Sequence, residues 1–578
     1  MKGLLIMMLC LLICCNISAA DKQEIIEYRG DHYIIHVDAM EPDKEMTLMD
    51  VLQTCPEPLS SNGKRITELY EIRFDDVPIS TDDETLLEAL KAVEIETIEV
   101  TAHSSLKIGG VGNVGVVDIY FKQQENGKTT GKLLLEGSTR GNGKAYADII
   151  TKSKNVTMRG YALTDLEYAR GDLNSGGQYS TRQGTESVQL NMDWDISEDD
   201  NLKIKLFQDF VDSKQRYFTT REDWAVPEIE RNWMATGTYT RTLNEQGGTL
   251  AFEGGTQYLN SDFDELDQKT FLAYYFAEAN LPCLNNALNI LVGWEIDYVN
   301  RWTVDVDRQQ MMFNDPYVQL DYTKGPWVFT LGDRFRIINY WHRTYDGTPS
   351  LWNNNRTEHS WLASAGYKTG KHFIQGTFCN DYLTPTIDFL YAGPNLELNR
   401  NVYLTGYQTN KYYTAEARYA YQQADLSLSG SVEHKWTTHS ILINEKATGV
   451  KASVTWHKGI LRLTAGAGVY HWEGSNDERD YEGNLTCNHF NLRLLPTLLL
   501  GGGLRISSRL LYNSRMDLVD ELPAHLYASV KVSKDLGRHI TISADFHDLA
   551  GTPRLADYLI GSSYDNPALT LGFTYRFF

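Results

Sequence analysis

The chain has 578 residues, a formal net charge of −22, and 42% hydrophobic against 22% charged residues, a balance that excludes extended disorder. Such an acidic excess leaves no dense basic face for phosphate, which argues against a nucleic-acid partner and against a polybasic membrane-surface protein. With 34 Tyr, 12 Trp, 20 Phe and 45 Gly beside 15 Pro, short strands and tight turns are favoured over long helices.

The first twenty residues form a separate object. Lys2 precedes an apolar run over 4–13, and Ser18, Ala19 and Ala20 stand before Asp21. This is the pattern of a secretory signal peptide over 1–20, and the run is too short to span about 30 Å of hydrocarbon. Cys10, Cys14 and Cys15 leave with it. Cys55, Cys283, Cys379 and Cys487 remain, far apart and without a C-x-x-C, so no zinc site is expected. No later stretch approaches about 18 consecutive apolar residues. The exported chain is therefore periplasmic, secreted, or a β-barrel of the outer membrane.

Residues 21–45 read as an N-terminal periplasmic segment, followed by a small mixed domain over 46–124. Within it, 47–52 reads as a short helix leading to Cys55-Pro56-Glu57, and 71–78 as a strand with a turn. Residues 84–91 read as a helix with Leu86, Leu87 and Leu90 on one face. Ile95-Glu96-Thr97-Ile98-Glu99-Val100 is a strand, 109–115 a glycine-rich turn, and 116–122 the last strand. Residues 110–115 also spell G-x-G-x-x-G. A dinucleotide site needs a helix opening on those glycines. The β-branched Val116 and Val117 predict a strand instead, so no nucleotide is expected there.

From 128 to 578 the rhythm changes. About 22 segments of roughly eight to fourteen residues alternate apolar and polar side chains. Ala568 to Tyr575 places its odd positions on an apolar face, and Val450 to Trp456 does the same with its even ones. Connections after even-numbered segments are short, as at 323–326, 369–371, 424–425 and 501–503. Most of those after odd-numbered segments are long, as at 168–185, 212–230, 341–359, 383–411 and 473–488; the short 140–143 connection is the exception. Two classes of loop sorted by parity belong to an outer-membrane barrel with tight periplasmic turns and longer external loops. The expected fold is all-β and transmembrane: an antiparallel barrel of about 22 strands with a small α+β domain in its lumen.

The order of elements over 46–122 resembles the plug domain of TonB-dependent outer-membrane receptors. The counterparts of the family's motifs are 51–57, Phe74 to Pro78, Ile95 to Val100, and the glycine stretch with Gly109, Gly110 and Gly115. Asp76 stands where the family usually has Gly, and Ser104-Ser105 is a reduced form of its "GP-x-S" stretch. The plug-motif residues are then Ile95, Glu96, Ile98, Glu99, Val100, Gly109, Gly110 and Gly115. The resemblance implies a plug that closes the lumen until the TonB energy-transducing complex pulls on a segment ahead of it. It also implies import of a scarce nutrient such as a siderophore, vitamin, oligosaccharide or peptide. The apolar run 33–39, with Ile34, Ile35 and Val37, is the segment expected to meet TonB by strand addition, or else the first strand of the plug. The terminal Phe578 resembles the signal read by the barrel assembly machinery, and outer-membrane lipid is the expected surround.

Aromatic residues crowd the predicted external loops: Tyr217, Trp224, Trp341, Tyr345, Trp352 and Tyr382. Flat rings beside Asn and Asp suit a sugar, Arg clusters suit an anionic siderophore, and an interfacial aromatic girdle is the bland reading. No cofactor and no enzymatic activity are expected: there is no G-x-S-x-G or H-E-x-x-H, and His434 and His439 lack a carboxylate at metal spacing. A passive structural or adhesive barrel with a vestigial plug is the alternative, and a hydrolase at the barrel mouth a more distant one.

Overall fold

A computed structural model describes residues 24–30, 32–56, 66, 70–75, 77–78, 85–101, 115–172, 177–219, 223–263, 266–303, 307–344, 354–383, 410–423, 425–438, 444–475, 485–517, 521–522, 524–550, 553–555, 562–564 and 567–577. The signal peptide expected over 1–20 and the residues Gly109, Gly110, Tyr345, Trp352 and Phe578 lie outside them.

Alternation decides the larger unit. In strand Trp327–Thr344, Leu331 is 56% exposed and Phe335 and Ile337 are also exposed, whereas Thr330, Arg334 and Arg336 between them are buried. One face of the strand is apolar and points out; the other is polar and points in. The same two faces recur around a closed barrel of 22 antiparallel strands, each paired with its neighbours in sequence. Closure joins Ala568–Phe577 to Thr129–Ser138, from Thr570 opposite Ser138 to Phe577 opposite Gly131. A Cβ on Gly131 would lie 2.4 Å from the Phe577 ring, so the glycine is what lets that ring lie across the seam. A closed ladder leaves no backbone group unpaired, and an outward apolar band is what faces lipid. Trp327 and Trp341 stand outward at the two ends of one strand, roughly 35 Å apart along the barrel axis for a tilt of about 40°.

The wall is uneven. Strands Asp200–Thr219 and Asp223–Thr242 have 20 residues each, whereas Thr129–Ser138 and Ala568–Phe577 at the seam have 10. The long external loops expected over 168–185 and 212–230 are for the most part strand. Val156–Asp172 and Gly177–Asp195 are joined by 173–176, and Asp200–Thr219 and Asp223–Thr242 by 220–222. Beyond the lipid both faces of a hairpin are wet, so apolar alternation ends while the hydrogen-bond ladder continues. Periodicity therefore marks the part of a strand inside the membrane, not its full length.

Inside the barrel sits a six-stranded sheet in the order Ile26–Tyr28, Tyr33–His36, Ile95–Thr101, Gly115–Phe121, Tyr70–Phe74, Val77–Pro78. All its pairs are antiparallel except Tyr70–Phe74 beside Gly115–Phe121. Ile35, Ile72, Ile95, Ile98, Val100, Val117 and Ile119 bury one continuous core against Leu48, Val51 and Leu52 of helix Leu48–Leu52 and Leu86 and Leu87 of helix Thr85–Ala89. Gly115 opens its strand where a Cβ would meet the Thr101 carbonyl at 2.0 Å.

Of the two readings of the run 33–39, Tyr33–His36 meets that of a plug strand and not that of a free segment. It is an interior strand of this sheet, paired to Ile26–Tyr28 on one side and to Thr97 to Val100 on the other. Ile34, Ile35 and Val37 are buried. Three large apolar residues in four positions gain more by burial, about 1.5–3 kcal/mol each, than a solvated tail would retain. The folded plug therefore reaches back to Ile26.

The two faces of the wall predict opposite responses to charge. Leu331→Arg, at the lipid side, should destabilise the barrel by about 2–4 kcal/mol in urea titrations followed by heat-modifiable gel migration. Thr330→Arg at the lumen side acts on plug docking instead, and equal effects at both positions would show that the assigned faces are wrong.

Candidate functional site

The site with the most chemistry is the contact between the plug and the inner wall. It is built from short, local plug motifs meeting cations that alternate along distant strands. Thr47 caps helix Leu48–Leu52: its Oγ1 accepts from Asp50 N at 3.0 Å, and Asp50 Oδ2 accepts from Thr47 N at 2.9 Å, a reciprocal capping box. The second oxygen of the same carboxylate accepts from Arg509 Nη2 at 2.8 Å. Asp50 thus closes the helix and ties it to the wall.

Around it the pattern repeats. Asp43 accepts from Arg505 at 2.9 Å and Arg462 at 3.3 Å. Glu45 accepts from Arg576 at 2.5 Å and Lys91 at 3.4 Å. Lys144 meets Glu88 at 3.1 Å, Lys132 meets Glu94 at 2.6 Å, and Lys368 meets Glu24 at 3.1 Å. Arg493 donates to the carbonyls of Gln53, Cys55 and Pro56, at 3.0 Å for the first. Ser364 and Gln375 both donate to the Gly30 carbonyl. Tyr28 stacks on Phe373 with centroids 5.6 Å apart. Plug acids facing wall bases dock the domain in one orientation, because any rotation leaves charges without partners.

Burial opposes ionisation of Glu45, but the charges of Lys91 and Arg576 outweigh it and hold the group down at about 2. Asp50 is held below its ordinary value in the same way, burial being overcome by Arg509 and Arg505. Burial pushes the Cys55 thiol up to about 12, so it is an inert packing group in contact with the plug core.

The opposite side of the plug is different. Glu71 and Asp118 flank Arg73 at 3.9 and 3.6 Å and face a wall rich in carboxylates. Glu253 accepts from Tyr274 at 2.8 Å and Glu278 from Tyr317 at 2.5 Å. Asp315 accepts from Arg334 at 2.5 Å and from Arg336 at 2.6 Å, and Arg334 also reaches Glu295 at 2.6 Å. Burial, with the nearby charges of Glu295, Asp118 and Glu253, raises Glu71 to about 7 despite Arg73. One flank of the plug is held by complementary charge; at the other Lys203 donates to the Asp75 carbonyl at 3.2 Å, while Glu71 itself meets carboxylates of its own sign.

The residues singled out in the sequence fall in several places. Ile95, Ile98 and Val100 are plug core, Glu96 is exposed and Glu99 half-buried on the same strand. Trp341 is on the lipid side of the wall. Tyr217 and Trp224 are direct partners across one hairpin, and Tyr382 ends strand His372–Leu383; their side chains are outside the described residues. The sequence reading missed the wall cations Arg462, Arg493, Arg505, Arg509 and Arg576. Their only sequence signal is that each shares the parity of the small and polar positions of its strand, which marks the lumen but not a partner.

Two outcomes follow from this geometry. Asp50→Ala removes both the cap and the Arg509 contact and should destabilise the plug by about 2–3 kcal/mol, whereas Thr47→Ala removes the cap alone, about 1 kcal/mol. Hydrogen exchange of helix Leu48–Leu52 measures the difference; equal losses would remove the docking role of Asp50. For pH, Glu45 is depressed, so its contribution is complete above its ordinary 4.5 and fades as pH falls toward about 2. Glu71 is raised, so the folded plug binds the extra proton and docking weakens as pH rises from 4.5 to about 7. Exchange protection of Tyr70–Phe74, corrected for intrinsic rate, should fall between about pH 5 and about pH 8. Glu71→Gln should flatten that profile, and a profile unchanged by the substitution would rule Glu71 out as its source.

No protein-family model and no curated protein sequence matches the chain. Solved structures do. The siderophore receptor PirA from Pseudomonas aeruginosa superposes with a TM-score of 0.66 over 96% of this chain and 100% of its own, at 12% identity. The closed form of the ferric-catecholate import receptor Fiu from E. coli K12 gives 0.72 over 95% and 97%, at 10% identity. The copper transporter OprC gives 0.71 over 95% and 100%, also at 10% identity. The chain has the fold of the TonB-dependent outer-membrane receptors, a 22-stranded barrel closed by a plug.

Proposed function

We propose that this protein is an outer-membrane importer of a scarce nutrient, opened from the periplasm by TonB. The observation that carries this reading is the charge-docked plug. A lumen filled by a separately folded domain conducts nothing large until that domain moves. A plug docked by ion pairs and carbonyl contacts, beside an apolar contact with Leu134, Tyr146, Leu163 and Phe373 of the wall, is built to move as a unit. The solved structures that share the fold are named as receptors and transporters of siderophores and copper, which supports uptake over a structural or adhesive role.

The outer membrane has no ATP or ion gradient of its own, so work arrives by contact. Residues ahead of the plug sheet and its edge strand Ile26–Tyr28 are the first that a pulling partner reaches; Tyr33–His36, paired on both edges, follows only once that strand has gone. The carboxylate-rich flank at Glu71 and Asp118 is the side on which the plug parts from the wall at least cost, because separation there relieves like charge. The external aromatic residues are the surface on which a ligand is first held.

The test is a reversible clamp. In a Cys283→Ser background, Asp50→Cys with Arg509→Cys is joined by a short bismaleimide carrying a cleavable disulfide. Uptake across candidate nutrients should stop while surface binding persists, and should return on reduction. Uptake unaffected by the clamp would mean that solute passes without plug movement.

A further inference from the structure

A cavity of about 210 Å³ lies between the plug and the low wall at the closure seam. Thr47 and Glu88 of the plug form one side. The other side is a patch of lumen-facing residues whose positions the register fixes. Glu136 lies opposite Lys144 on one neighbouring strand and Gly572 on the other. Asp545 lies opposite Lys531 and Thr570. A Cβ on Gly572 would sit 3.3 Å from Glu136 Oε1, so the missing side chain leaves the space that the Glu136 carboxylate occupies.

Several charges here are already engaged: Lys144 with Glu88 at 3.1 Å, and Arg509 with Asp50 at 2.8 Å. Three are not. Glu136 and Lys531 make no direct hydrogen bond or ion pair among the described residues, though Glu136 lies in the field of Lys144 and Lys531 in that of Asp545, and Asp545 Oδ1 is buried without a hydrogen-bond partner. A buried carboxylate oxygen without a donor is costly to leave so. Two carboxylates and one ammonium thus converge on one cavity without touching one another.

We propose that this cavity binds a small zwitterion, an α-amino acid, and prefers one with a basic side chain. The ligand ammonium is taken between Glu136 and Asp545, and its carboxylate by Lys531. Lys531 and Asp545 are direct cross-strand partners, with Cβ atoms about 5 Å apart. Ligand groups of opposite charge on one carbon can therefore reach both. The cavity is large enough for several waters and so for a ligand the size of a single amino acid. Two carboxylates, Glu136 and Asp545, against the one ammonium of Lys531 favour lysine or arginine over glutamate. This site does not depend on import. It is assayed at equilibrium on purified protein, so a failed clamp experiment leaves it standing and a failed binding experiment leaves import standing.

The experiment is equilibrium dialysis of the full-length protein in detergent micelles against labelled L-lysine. L-lysine should bind saturably, with L-glutamate and cadaverine (lysine without its carboxylate) weaker on the order of tenfold or more. Lys531→Gln should weaken L-lysine on the order of tenfold and abolish the preference over cadaverine. Glu136→Gln and Asp545→Asn should each weaken L-lysine and cadaverine alike. Heat-modifiable migration of each variant confirms that its barrel is folded, and Asp545→Asn keeps the shape of the site should Glu136→Gln disturb the seam. Absence of saturable L-lysine binding, equal binding of cadaverine, or binding unchanged in all three variants would overturn the proposal.

Discussion

A sheet in hydrocarbon must leave no edge, and the rest of this molecule is arranged around that requirement. Closure of Ala568–Phe577 on Thr129–Ser138 satisfies the last free ladder, because an unpaired peptide group in lipid costs several kcal/mol. Closing 22 strands gives a ring too wide for side chains to fill. The interior is then either a water-filled pore or a space for another folded unit. Here it is a unit, and every lumen-facing residue is chosen against the plug or against water.

That choice explains the polar interior. Lumen-facing Arg334, Arg336 and Asp315 are almost fully buried, a placement that an ordinary apolar core would not tolerate. They persist as a connected set, Arg334 bridging Asp315 and Glu295 while Arg336 completes Asp315, so that no charge is left alone. The plug meets this wall with its own charges. Asp43, Glu45 and Asp50 find arginines on two separate strands and on the last one. Such contacts fix orientation more than they add stability.

The two flanks of the plug then differ in kind. The capped helix side is held by opposite charges whose protonation sets in only under acid. The Glu71 side is strained by like charge, and its protonation begins close to neutrality. The asymmetry sets where the plug's contact with the wall is weakest: attraction is least beside Glu71 and greatest beside the capped helix.

The sequence by itself determined the architecture. Period-two alternation across some 22 segments, the sorting of loops by parity, and the Ile95 to Val100 motif are local signals, and local signals survive in one dimension. It also determined the plug's helices, since the short apolar run over 47–52 and the Leu86–Leu87–Leu90 face are written within one or two turns of helix. Strand length was not legible, because the wet ends of Gly177–Asp195 and Asp200–Thr219 carry no apolar period. The place of Tyr33–His36 was not legible either: an apolar extended run reads the same whether it waits for a partner or already has two. Only the tertiary structure decided which charge meets which. Asp50 and Arg509 are 459 positions apart, and nothing in a chain marks two residues as partners when closure of a barrel, rather than any local pattern, brings them together.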